Sequence, residues 1–193
     1  MMATDTKINL LNSAERVART RGFDGFSYAD LAKDVGITKA SIHHHFASKA
    51  KLAVALMKRY YDDLETACAE IDAQNETGAA RLNALISRYH GALEDGQSLC
   101  LCVSFSTSTQ SLSDDTVAEM NRFRKMITDW LSKAFALGQQ DGTIKGVADP
   151  VQEATAALPL LEGAQLAARV AKDPDRFSAA LRILTSRLSN CVN

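Results

Sequence analysis

Prolines number three, tryptophans one and cysteines four among 193 residues, and aromatic side chains make up only 6%. Neither charge sign dominates, with a formal net charge of −1. Each scarcity excludes something. Cys68, Cys100, Cys102 and Cys191 do not make a disulfide framework in an intracellular chain of this size. Cys100 and Cys102 lie two apart, so on a helix they diverge by about 200° and are poor joint metal ligands. No stretch approaches ~20 uninterrupted apolar residues, and no membrane span is expected. The start, Met1 to Lys7, is polar and lacks the apolar run of a secretory signal, so a cytoplasmic location is expected. A Gly-x-Ser-x-Gly elbow, a phosphate-cradling glycine loop and metal-ligand spacings are also missing. No enzyme, cofactor or metal site is expected.

What is present favours helices. Alanine and leucine are abundant and β-branched runs are few, which fits an all-α chain with ample material for a core. The near-neutral total hides an asymmetry. Residues 1–59 carry ten Lys and Arg against five acids, a net +5, and the remainder carries −6. A basic first third on an acidic remainder suits a nucleic-acid-binding head on a body with another task.

The head can be read residue by residue. Ser27 is a good N-cap and Asp30 follows three positions later, a short variant of the capping box. Leu31, Ala32 and Val35 give an apolar face at helical spacing. Gly36 then supplies positive φ to end the helix, Ile37 anchors the turn, and Thr38 caps a second helix running to His45 or Phe46. That second helix is too short to persist alone in water. Ile42 and Phe46 must hold it from within, beside Ala40 or His45. Thr38, Lys39, Ser41, His43 and His44 remain outside, a polar, donor-rich face suited to base edges and phosphates. Ser48 caps a third segment whose Lys49 and Lys51 would lie near backbone phosphates. Two short helices joined by such a turn can set one of them in a DNA major groove. His43, His44 and His45 point about 100° apart on a helix and cannot chelate one metal together.

Gly22-Phe23, Phe26 to Ala32, Gly36 to Ile42, His45-Phe46 and Ser48-Lys49 together resemble the TetR/AcrR family of bacterial transcriptional regulators, over about residues 8 to 60. The resemblance implies a fold and a site. The fold would be all-α: a three-helix DNA-binding domain with a helix-turn-helix over residues 1–50, then a larger helical ligand-binding and dimerisation domain over 51–193, connected by a helix starting near residue 48. DNA contacts would fall on Ser27, Tyr28, Thr38, Lys39, Ala40, Ser41, His43, His44 and Lys49. One residue departs from the family's pattern, which has tyrosine where this chain has His43. Neutral imidazole donates one hydrogen bond and its protonated form two, so DNA affinity would rise as pH falls through histidine's range.

Beyond the head, a first helix is expected over Thr6 to Arg21, and a long one from Ser48 to about Ala73. Further helices are expected near Ala79–Glu94, over Thr116 to Gly138, and from Asp149-Pro150 to about Lys172 with a kink at Pro159. Leu99 to Leu112 alternates loosely like a strand, but lacks a partner strand and reads better as a buried helix. Asp173-Pro174 opens a final helix through Asn190, with Phe177, Leu181, Leu184 and Leu188 in register. The last two helices, about 150–190, would build a homodimer interface, as the resemblance implies.

A cavity within residues 79–171 would be lined by Tyr89, Cys100, Cys102, Phe105, Met120, Phe123, Trp130, Leu158 and Leu161. Its apolar character favours an aromatic, acyl or hydrophobic cationic effector. The implied function is a ligand-released repressor that binds a palindromic double-stranded DNA operator as a homodimer. Alternatives are a sensor of electrophiles or oxidants working through Cys100 or Cys102, an activator of the same fold, and a helical interaction module without DNA binding. The basic head speaks against the last.

Overall fold

Helices form where alanine, leucine and capping residues are concentrated, and the computed structural model describes residues 3–189 in these terms. Ten α-helices follow in order among the described residues. They are α1 (Ala3–Arg21), α2 (Tyr28–Val35), α3 (Lys39–His45), α4 (Lys49–Gln74), α5 (Gly78–Gly91), α6 (Leu101–Ser106), α7 (Asp114–Gln140), α8 (Pro150–Ala171), α9 (Asp175–Ala180) and α10 (Arg182–Thr185). A 3₁₀ turn at Thr109–Ser111 follows α6. Of the segment Leu99 to Leu112, which could pass for a strand, Leu101–Ser106 is a buried helix, while Leu99 and Cys100 precede it and Thr109–Ser111 is an exposed 3₁₀ turn.

The chain forms two compact units. One takes the residues up to Asp62 together with Leu101–Phe123, and the other takes Asp63–Cys100 and the chain from Arg124 onward. Helices α4 and α7 each give their first part to the former and their second part to the latter.

In the first unit, α1 packs on α2 and α6, and α2 packs on α3. Leu10, Ala14 and Ala18 of α1 are wholly buried, as are Leu31, Ile42, Leu52 and Leu56. Phe23 meets Phe105 edge to face with centroids 5.5 Å apart, and Ser104 of α6 donates to the Ala18 carbonyl.

In the second unit, α8 packs on α5 and α9. Thr77 caps α5 by accepting from the Ala80 N–H. A side chain at Gly78 would collide with the backbone of Gly138 and Ala134, so α5 starts where only glycine lets it approach α7. Asp149 accepts from the N–H groups of Val151 and Gln152, with Pro150 at the first helical position. Pro159 lies inside α8 without ending it. Its ring is exposed, and the helix runs on although one backbone donor is lost there.

The C-terminal segment corrects the sequence reading. Instead of one helix to Asn190, the chain makes the short α9 and α10 and then turns. Leu188 forms an antiparallel bridge with Ile144. Ser189 N–H donates to the Thr143 carbonyl and Lys145 N–H to that of Arg187. Phe177, Leu181 and Leu184 are buried as their register required, but Leu188 is only half-buried because the helix has ended before it. Asn190 and Cys191 lie outside the described residues.

Candidate nucleic-acid interface

The α2–turn–α3 module is fixed by its own short-range chemistry. Ser27 Oγ accepts from the N–H groups of Ala29 and Asp30, while Asp30 Oδ2 accepts from Ser27 N–H at 2.7 Å, completing the capping box. The Ser27 hydrogen bonds hold the Asp30 carboxyl below its ordinary pKa. Gly36 closes α2 in the left-handed region at φ 73°. Thr38 Oγ1 accepts from Ser41 N–H and starts α3.

Two polar links that the sequence did not announce orient the module. Asp34 of α2 accepts from Ser13 and, at 2.6 Å, from Arg16, both on α1. The Ser13 hydroxyl and then the Arg16 charge hold its carboxyl below the usual range despite desolvation. Arg59 of α4 donates to Asn12 at 2.8 Å and to Glu15. These partners lie 18 to 47 residues apart, so no local spacing rule could have found them.

Ile42 is fully buried and Phe46 nearly so, which turns the opposite face of α3 outward. Thr38, Lys39, Ala40, His43 and His44 are exposed, and Ser41 is half-buried. The remaining candidates are engaged within the protein. The Tyr28 hydroxyl donates to the Phe46 carbonyl at 2.9 Å, and burial pushes its pKa up to about 12. Lys49 donates its ammonium to the Phe26 carbonyl and lies 4.5 and 4.3 Å from the ring centroids of Phe23 and Phe26. Burial lowers its pKa, against the opposing charges of Asp24 and Asp30. Ser27 is occupied by its cap. The nine candidates therefore divide into an open set on α3 and its N-cap, and three side chains engaged in bonds within the head.

The nine effector-site candidates are all buried. Cys102, Phe105, Met120 and Phe123 belong to the first unit, while Tyr89, Cys100, Trp130, Leu158 and Leu161 belong to the second. The second unit also buries polar side chains that hydrophobic periodicity does not signal. Gln165 is wholly buried, accepting from Cys100 N–H at 3.0 Å and donating to the Tyr89 carbonyl. Glu162, one turn earlier on α8, holds Arg124 at 3.2 Å through one oxygen, and its other oxygen is buried without a partner. Burial raises its pKa, and Arg124 offsets only part of that. Trp130 Nε1 donates to Asp72 at 3.1 Å, and Asp72 also pairs with Arg81. Among the described residues no His/Cys/Asp/Glu group has metal-binding geometry, and no helix is long and apolar enough to cross a membrane.

Comparison with known proteins agrees with this geometry. Residues 10–56, the span from α1 into α4, match the family described as bacterial regulatory proteins, tetR family. The HTH-type transcriptional repressor NemR of Escherichia coli (strain K12) is 27% identical over 186 residues, covering 92% of this chain and 90% of its own. A TetR-family regulator from Agrobacterium tumefaciens superimposes with a TM-score of 0.92 at 28% identity, over 97% of this chain and all of the other. The reduced form of E. coli NemR does so with a TM-score of 0.82 at 25% identity, over 98% of this chain and all of its own.

Proposed function

We propose that this chain, a member of the TetR family of bacterial regulatory proteins, is a cytoplasmic repressor that grips a palindromic operator as a homodimer and releases it when an effector binds. It is a helix-turn-helix transcriptional regulator, not an enzyme. The observation that carries the DNA-binding part is the outward face of α3. Thr38, Lys39, Ala40, Ser41, His43 and His44 are left open on a helix whose closing carbonyl, that of Phe46, accepts from the Tyr28 hydroxyl. The N-terminal members, Lys39 above all, would reach base edges, and the later ones phosphates.

Dimerisation would use the outer face of α8 rather than a long final helix. Ala156, Pro159, Gly163, Leu166, Ala167 and Val170 recur at helical spacing and face outward. Exposed Ile183 of α10 adds to this face. Small residues let a second copy approach closely, and a two-fold axis there would pair two heads on half-sites about 34–36 Å apart. An effector held among the buried residues of the body would favour a conformation whose heads miss that spacing. Within the second unit, Glu162 and Gln165 would be its polar contacts, beside Tyr89, Leu158 and Leu161.

A thiol-sensing reading draws on the likeness to a protein crystallised in a reduced form. Against direct attack by a dissolved oxidant or electrophile, Cys100 and Cys102 are 2% and 0% exposed.

The test is selection of duplexes from a randomised library by the purified full chain, followed by sedimentation of the complex. A two-fold symmetric site bound by two chains, with steep salt dependence, is expected. Binding without sequence preference, or by one chain per site, would overturn the reading.

A further inference from the structure

The imidazole of His43 is held on two sides. Its Nδ1 lies 3.2 Å from the Ala47 carbonyl oxygen. Its ring meets that of Tyr28 edge to face, with centroids 4.9 Å apart. A carbonyl oxygen only accepts, so Nδ1 carries the hydrogen in this contact. In the neutral ring Nε2 is then bare and can only accept. A phosphate oxygen, also an acceptor, finds no donor there. One added proton turns Nε2 into a charged donor and leaves the Nδ1–H bond to Ala47 intact.

The position fits a phosphate better than a base edge. His43 is exposed in the C-terminal half of α3, whereas the N-terminal residues of a recognition helix reach the bases. We propose that His43 is a proton-dependent phosphate ligand: DNA binding takes up a proton at Nε2, and operator affinity rises as pH falls. The proposal deepens, and rests on, the reading of α3 as the DNA-reading helix.

The groups around the imidazole do not supply this donor themselves. From α2, the Tyr28 hydroxyl is committed to the Phe46 carbonyl and stays neutral, its pKa pushed up to about 12 by burial. From the start of α4, the Lys49 ammonium points to the Phe26 carbonyl. From α1, Lys7 Nζ sits 5.9 Å from the Phe46 ring centroid. On α3 itself Lys39 lies one turn earlier, and the rings of His44 and His45 meet each other at 5.5 Å.

The probe is a fluorescent duplex carrying the sequence that the full chain selects from a randomised library. Between about pH 8 and about pH 5.5, affinity should rise on the order of tenfold as one charge-assisted hydrogen bond is gained. The slope of log affinity against log salt should steepen by about 0.9. His43→Gln and His43→Phe should flatten both responses, and His45→Gln, outside the DNA-facing set, should keep them. Nitrogen-15 NMR of the unsubstituted protein needs no variant and should show neutral His43 with its proton on Nδ1. A proton on Nε2, a pH-independent affinity, or a pH response surviving in folded His43→Phe overturns the proposal but leaves the DNA-binding reading standing. Failure to select any duplex overturns both.

Discussion

Arg187 grips Glu153 with both arms of its guanidinium, at 2.8 and 2.7 Å, and gives its Nε–H to the Lys145 carbonyl. One side chain thus joins the C-terminal segment to the first turn of α8 and to the loop before it. This fork accompanies the Ile144–Leu188 bridge and accounts for a chain that leaves helical geometry after Thr185. Arg187→Ala should destabilise the fold by about 1–3 kcal/mol, since Glu153 loses a charge-assisted, bidentate partner. Lysine should restore only part, because it lacks the fork. Urea unfolding measures both. An Arg187→Ala variant as stable as the parent would show that the bridge holds the turn without the ion pair.

Lys49 separates bracing from phosphate contact. Lys49→Met keeps the apolar stem over Phe23 and Phe26 but removes the ammonium from the Phe26 carbonyl. The expected loss is about 1–2 kcal/mol of stability, from the cation–π contacts and the hydrogen bond. The salt slope of DNA binding should not change. A slope shallower by about 0.9 would instead place the ammonium on a phosphate.

How legible the molecule was in its sequence follows from the range of the interactions involved. Ser27, Asp30, Gly36 and Thr38 act within three or four residues of themselves, so the helix-turn-helix could be read directly. Phe177, Leu181 and Leu184 announced a buried face correctly. The end of that helix was hidden because it depends on Arg187 finding Glu153, 34 residues away. Likewise, the contact of Lys49 with the Phe26 carbonyl, 23 residues earlier, has no local signature. The burial of Glu162 and Gln165 has no local signature either, because their partners Arg124, Tyr89 and Cys100 lie far away in sequence.

Glu162 gives a pH dependence with a definite sign. Burial raises its pKa in the folded chain above its unfolded value, so the folded state binds the proton more tightly. Its contribution therefore favours folding below the carboxylate range and turns unfavourable as pH rises through the raised folded value. Glu162→Gln should raise the melting temperature at neutral pH and make no difference near pH 4, a value about at the ordinary range of glutamate. A fall in melting temperature at neutral pH would mean that the pair with Arg124 outweighs the burial of the charge.

The cysteines should be silent in the folded protein. Burial, and then the nearby Asp72 carboxylate, push the Cys68 thiol up to about 12, and Cys100 and Cys102 are enclosed. With Cys191 replaced by serine, a thiol-specific chromogenic reagent should react with none of them until denaturant is added. Rapid reaction of one native thiol, traced to Cys100 or Cys102, would revive the thiol-sensing mechanism.

The outer face of α8 is the place to separate assembly from folding. Leu166 and Val170 are 39% and 86% exposed, so replacing both with aspartate removes little from the core and should alter stability by only about 0.5 kcal/mol at each site. If a second copy covers this face, four carboxylates would converge across the two-fold axis, and the dimer should give way to a monomer in light scattering. Each head would then bind its half-site alone. Without the effective concentration that pairing supplies, operator affinity should fall by about 10²–10⁴-fold. A double variant that remains dimeric would move the interface elsewhere. One that becomes monomeric but keeps full affinity would show that a single head is enough.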